Sequence, residues 1–169
     1  EALSAIYDAS VNVLSEEMAR VWQGVPTEGT LLALFGTCGE GLLEHGLIGN
    51  GVALFPEMTV VPLMLRDEYS FSGGLKIHGP LSLLDLPMTV AAAMGWEGLV
   101  DEGGVELVPV VKARHVPQRR LIFMETERPL AGSWRGIVAW PWKLTLNLSE
   151  GRVGVWLSHL SLDPNETTN

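Results

Sequence analysis

The stretch Trp142-Lys-Leu-Thr-Leu-Asn-Leu-Ser-Glu-Gly-Arg-Val-Gly-Val-Trp-Leu-Ser-His-Leu-Ser-Leu162 decides how the rest of the chain is read, because it has the pattern of a β-hairpin. Trp142, Leu144, Leu146 and Leu148 alternate with Lys143, Thr145, Asn147 and Ser149, the period of a strand with one apolar face. Ser149-Glu150-Gly151 supplies the turn, and Arg152 to Leu162 returns with β-branched and aromatic residues. The apolar set is expected to face a core and Lys143, Thr145 and Asn147 to face outward. Such a sheet face needs a cover, and the chain upstream must provide it.

Upstream, residues 2–23 carry Leu3, Tyr7, Val11, Leu14, Met18 and Val21 at spacings of three and four, which predicts an amphipathic helix ended by Gly24-Val25-Pro26. Thr30 to Phe35 is a short apolar run that could be helix or strand, followed by the glycine-rich Gly36-Thr-Cys-Gly-Glu-Gly41. Thr59 to Leu65 reads as a strand interrupted by Pro62, and Asp67 to Phe71 as a short extended segment. After His78-Gly79-Pro80, the alanine-rich segment to Trp96 favours helix, with Ser82 or Asp85 as cap. Strands then follow at Val105 to Ala113, Arg120 to Glu127, Trp134 to Leu148 with a bend at Pro141, and Arg152 to Leu162. Helices first and antiparallel strands afterwards predict an α+β fold, with residues 1–169 as a single domain.

Composition supports a folded globular chain: 47% of residues are hydrophobic and 18% charged. One cysteine excludes an intramolecular disulfide and leaves the redox compartment open. No window offers about 18 uninterrupted apolar residues, so no transmembrane segment is expected. The first residue is Glu1 rather than methionine, consistent with removal of an export or organelle-targeting segment or with trimming, and the compartment stays open. The net charge of −9 is unevenly placed. Residues 1–65 hold eight acids against Arg20 alone, whereas Lys112, Arg114, Arg119, Arg120, Arg128, Arg135 and Lys143 form a basic belt beside Glu125 and Glu127. The belt either meets an acidic partner or an anionic ligand, or pairs with the acidic part of the same chain. The overall charge and the lack of a recognisable module argue against nucleic acid.

Three places resemble the nuclear transport factor 2-like superfamily, which includes SnoaL-like polyketide cyclases and ketosteroid isomerases. They are Phe71-Ser-Gly-Gly with Gly79-Pro80-Leu81-Ser-Leu-Leu, the strand pair containing Gly132-Ser-Trp-Arg-Gly, and the closing hairpin through Leu162-Asp163. The resemblance implies N-terminal helices packed on a strongly curved antiparallel sheet, a cone-like α+β barrel with an apolar cavity and often a dimer through the sheet. The longer, glycine-rich region from Pro26 to Leu65 departs from that pattern.

Catalysis in such a cavity would use carboxylates or histidines among apolar neighbours, some with shifted pKa. Glu125 shares strand parity with Leu121 and Phe123, and His159 with Val153, Val155 and Leu157. Asp67 and His78 fall at the expected rim, where turn and cap roles account for them equally well. Cys38 with His45 seven residues on could be an activated thiolate, or a buried inert cysteine. Four dispersed histidines show no ligand spacing, so neither a metal nor a cofactor is expected. Of six tryptophans, four lie on the last strands, and Trp140 and Trp142 with Arg135 and Lys143 form the candidate partner-binding group. The expected function is therefore non-catalytic binding or assembly, through the sheet face or cavity, with a protein partner, a second copy or a small apolar ligand. The alternative is a cofactor-independent isomerase, cyclase or dehydratase using Glu125, His159, Asp67 and His78 as general acids and bases.

Overall fold

The computed structural model describes residues 2–70, 73–96, 103–117, 120–128, 132–149 and 153–169. Phe71, Arg119, Arg152 and the residues Glu150 and Gly151, at which a turn is expected from sequence, lie outside the described residues. The chain begins with helix α1 (Ala2–Gly24), then strands β1 (Leu32–Phe35), β2 (Gly41–Leu42) and β3 (Ile48–Gly49), helix α2 (Pro56–Thr59) and strand β4 (Leu63–Arg66). Helices α3 (Asp85–Ala93) and α4 (Leu107–Ala113) precede strands β5 (Leu121–Arg128), β6 (Gly132–Ala139), β7 (Trp142–Asn147) and β8 (Gly154–His159).

The sheets are small and open. β1 pairs antiparallel with β4, β2 with β3, and β5-β6-β7-β8 form a four-stranded antiparallel sheet in sequence order. Among the described residues there is no closed or strongly curved sheet, so the expected cone-like α+β barrel is not formed. Nor does α1 cover a sheet: it has the predicted span and stripe but buries no residue. Its end is tied down by Arg66, which donates to the carbonyls of Trp22 (2.6 Å) and Val25 (2.7 Å) and sits over the Trp22 ring. No helix among the described residues is long and apolar enough to cross a membrane.

Two other expectations change. Val105 to Ala113 contains α4 rather than a strand, because Leu107 and Val110, three residues apart, are both buried against α3 and Pro109 falls in the tolerant first turn. Local β propensity has yielded to packing. Trp134 to Leu148 is two strands, β6 and β7, joined through Trp140 and a cis peptide to Pro141. At the α3–α4 contact, Asp85 is fully buried, with Arg120 bidentate on its carboxylate and the N–H groups of Ser82 and Val105 donating to it. It is thus the centre of a buried polar knot rather than a cap.

The sheet also faces the other way. Lys143 and Thr145 are 3% and 2% exposed, on the same side as Trp134 and Val138, whereas Trp142 and Leu148 are exposed. A period of two identifies a strand but leaves the choice of inner face open. The inner face packs on Ala53, Leu54, Phe55 and Met58, with Met124 and Trp156 at its margins. Phe55 meets the edges of Trp134 and Trp156, and those two indoles stack at 5.2 Å. This places the segment after β3, with the loops that lead into it, against the C-terminal sheet.

Candidate functional site

The glycine-rich loops after β1 form a connected surface whose floor is ionic. Gly36 N–H donates to the Pro62 carbonyl at 3.0 Å and Gly39 N–H to the Met58 carbonyl at 3.0 Å, so the loop is pinned to the α2–β4 connection. Gly39 is required by space: a Cβ there would stand 1.9 Å from the Glu57 carbonyl oxygen. That approach brings the loop directly over Glu57.

Below it, His45 Nδ1 lies 2.9 and 3.1 Å from the two Glu57 carboxylate oxygens, and Nε2 lies 3.2 Å from the Glu166 carbonyl. The imidazole stacks flat on Phe55, with centroids 4.0 Å apart. Burial by itself lowers the His45 pKa, but the Glu57 hydrogen bond, the Glu166 carbonyl and the charges of both glutamates outweigh it and raise the pKa. Both ring nitrogens face acceptors, the arrangement that suits imidazolium. Lys143 Nζ donates to Glu166 Oε1 and to the Leu54 carbonyl, both at 2.5 Å. Burial pushes the Lys143 pKa down, against the opposing hydrogen bond to Glu166 and the charges of Glu166 and Glu57.

Glu166 reaches this floor because the C-terminal turn is tied locally. Asp163 accepts from Thr168 N–H and hydroxyl and from the Thr167 hydroxyl. The Thr168 bonds, foremost among these, hold the Asp163 carboxyl at about 2. Glu166 itself has φ 52, a left-handed conformation uncommon for a residue with a side chain. The floor therefore joins residues 45, 57, 143 and 166 by side-chain and backbone contacts.

Beside the floor, the half-buried Glu40 and the exposed Asn50 of the same loops meet the end of β5, where Thr126 is half-buried and Arg128 exposed. Thr126 hydroxyl donates to the Gly51 carbonyl at 2.6 Å, Arg128 Nη2 donates to Asn50 Oδ1 at 3.2 Å, and Asn50 Nδ2 lies 3.5 Å from Glu40 Oε2. Chemically, the floor holds the loops in place and the upper group offers guanidinium and amide donors to an anion.

The residues anticipated from sequence are dispersed. Glu125 and Arg135 stand directly opposite in register with a 3.3 Å ion pair, and Trp142 and His159 stand opposite with rings 4.6 Å apart; all four lie on the outer sheet face. His159 Nδ1 is also 3.1 Å from Ser161 Oγ. Trp140 is half-buried in the β6–β7 turn, and Lys143 points to the opposite, inner face. Asp67 accepts from Tyr69 N–H in a turn, and its pKa is lowered chiefly by the Ser70 hydroxyl. His78 is exposed in a loop. Cys38 is exposed with a free thiol, and the two ring nitrogens of His45 are committed to Glu57 and Glu166 rather than to it. Glu57, Glu166 and Asn50 escaped sequence reasoning; Arg128 was legible only as one charge in the basic belt.

No protein-family model matches the chain, and no curated protein sequence matches it. Solved structures do. BT4656 in complex with its substrate D-glucosamine-2-N,6-O-disulfate matches with a TM-score of 0.72 and 20% identity over 83% of this chain and 29% of that one. BT1596, a 2-O GAG sulfatase, matches with a TM-score of 0.68 and 20% identity over 83% and 31%. The protein yidJ from Bacteroides fragilis, which carries a sulfatase assignment, matches with a TM-score of 0.66 and 18% identity over 83% and 31%. The chain thus spans less than a third of these structures' lengths and shares the fold of that portion.

This likeness overturns the resemblance to the nuclear transport factor 2-like superfamily and its SnoaL-like and ketosteroid isomerase-like members. The expected non-catalytic binding or assembly role, and the alternative isomerase, cyclase or dehydratase, fall with it. The misleading signal was the run of C-terminal strands: a meander of consecutive antiparallel strands is a local motif, open to several folds.

Proposed function

We propose that the protein carrying this chain hydrolyses sulfate esters of sulfated saccharides. The observation that carries this reading is the match to BT4656, a structure holding a doubly sulfated glucosamine, over 83% of the chain. In the reaction, water supplies an oxygen to sulfur, the ester S–O bond breaks, and the sugar hydroxyl and inorganic sulfate leave. The glycine-rich loops and the adjoining end of β5 are this chain's contribution to the substrate surface. Their ionic floor keeps them ordered, in keeping with the preorganisation that catalysis and ligand binding require.

The test uses end-labelled saccharides bearing an O-sulfate ester, at 6-O of glucosamine with and without 2-N-sulfate or at 2-O of a uronate, separated by charge after incubation with the protein. Conversion of at least one substrate to a product with one sulfate fewer is expected. Unchanged migration of the whole panel, with the protein folded, would overturn the proposal.

A further inference from the structure

Arg128 is a cation held in a defined orientation on an open surface. It closes β5, is exposed, and among the described residues has Asn50 as its hydrogen-bond partner. Its guanidinium lies against Gly51, where a Cβ would stand 3.3 Å from Nη2 and 3.4 Å from Nε. Gly51 has φ +64 and its carbonyl is held by Thr126, so the surface under the guanidinium is itself fixed. A long side chain already oriented by Asn50 and Gly51 loses less rotamer freedom on binding than one recruited from solvent.

The donor count favours an oxyanion with several oxygens. Arginine offers five N–H groups in a planar fork, of which Asn50 accepts from Nη2. With Oδ1 turned to Arg128, Asn50 presents Nδ2 as a further donor, and Glu40 Oε2 at 3.5 Å is at the outer limit for occupying it. A sulfate group has three terminal oxygens and can take two parallel bonds from the fork and a third from the amide. A carboxylate has two oxygens, and the fork alone satisfies it. Glu40 opposes any anion here, weakening the site by like charge.

We infer that Arg128 and Asn50 form a recognition pair for a sulfate group on the saccharide substrate, with Glu40 setting its strength. This rests on the sulfated-saccharide reading above and assigns its specificity to named residues. Arg128 is an anion-binding residue here, and the bond-breaking chemistry is not attributed to it.

The test is calorimetric titration of the whole protein with D-glucosamine-2-N,6-O-disulfate, unsulfated glucosamine, glucuronate and inorganic sulfate. It compares wild type with Arg128→Ala, Asn50→Ala and Glu40→Gln, and checks the fold of each by thermal unfolding. Loss of a charge-assisted fork should weaken disulfate binding about tenfold or more in Arg128→Ala, with a smaller loss in Asn50→Ala and a gain in Glu40→Gln. Glucuronate should bind more weakly than the disulfate and lose less than the disulfate does in Asn50→Ala, because for it only the orientation of Arg128 is lost and no third hydrogen bond. Equal disulfate affinity in wild type and folded Arg128→Ala would overturn the pair while leaving the sulfated-saccharide reading standing. Arg128-dependent binding of inorganic sulfate without binding of the sulfated sugar would support the anion pair and overturn the saccharide reading.

Discussion

Lys143 and Glu166, 23 residues apart in sequence, meet in a 2.5 Å ion pair with each side chain 3% exposed. The pair fastens the C-terminal turn to the inner face of the four-stranded sheet, and the Leu54 carbonyl takes a further Lys143 proton. Charges buried this deeply are tolerated together and costly apart. Lys143→Ala should therefore lower unfolding stability by about 3–5 kcal/mol. The double change Lys143→Met with Glu166→Gln should lose much less, because no charge is stranded, and urea unfolding of the three proteins measures the difference.

His45 gives the floor a pH dependence of known sign. Its folded pKa is raised above the ordinary 6.5, so the folded state binds more protons than the unfolded state between those two values. Its contribution is fully present below the unfolded pKa and is lost as pH rises through the folded one. Wild type should exceed His45→Gln in stability most clearly below pH 6.5, with the margin shrinking as pH rises through the raised value. Denaturant midpoints for both proteins across that range provide the check, and a margin that grows with pH would contradict the assignment.

Gly39 should tolerate no side chain. A Cβ at 1.9 Å from the Glu57 carbonyl oxygen forces the loop off the α2–β4 connection, since the obstacle is backbone rather than a flexible side chain. Gly39→Ala is expected to cost on the order of 1–3 kcal/mol. Amide exchange should show lost protection at Gly41 to Gly51 before the C-terminal sheet is affected.

The orientation of the sheet can be tested with two aromatics. Trp134 is buried in the core and Phe123 is 72% exposed on the opposite face. Trp134→Ala should cost about 3–5 kcal/mol, whereas Phe123→Ala should stay within about 1 kcal/mol. Comparable losses in thermal unfolding would contradict this division into inner and outer faces, and a larger loss in Phe123→Ala would reverse it.

The contrast between these aromatics marks where sequence reasoning stopped. The spacing of Leu3, Tyr7, Val11 and Leu14 gave α1 to within a residue or so, and the alternation from Trp142 gave β7. Alternation did not say that Lys143 and Thr145 would be the inner residues, because that depends on Glu166 and the Leu54 carbonyl satisfying a buried ammonium. Val105 to Ala113 looked extended by propensity and is helical where Leu107 and Val110 find α3. The site was harder still. His45 and Glu166 are 121 residues apart, and Asn50 and Arg128 are 78 apart, distances at which no periodic pattern links them. The glycines at 36, 39 and 41 were visible as a cluster, yet their reason lies in the carbonyls and side chains packed against them.

The most direct measurement is the initial rate of inorganic sulfate release from D-glucosamine-2-N,6-O-disulfate by the wild-type protein. Saturable release, competitively inhibited by other sulfated saccharides and unaffected by unsulfated glucosamine, is expected. Absence of any release, from this sugar and from the other O-sulfated saccharides, across the pH range in which the protein remains folded would contradict sulfate-ester hydrolysis as its function.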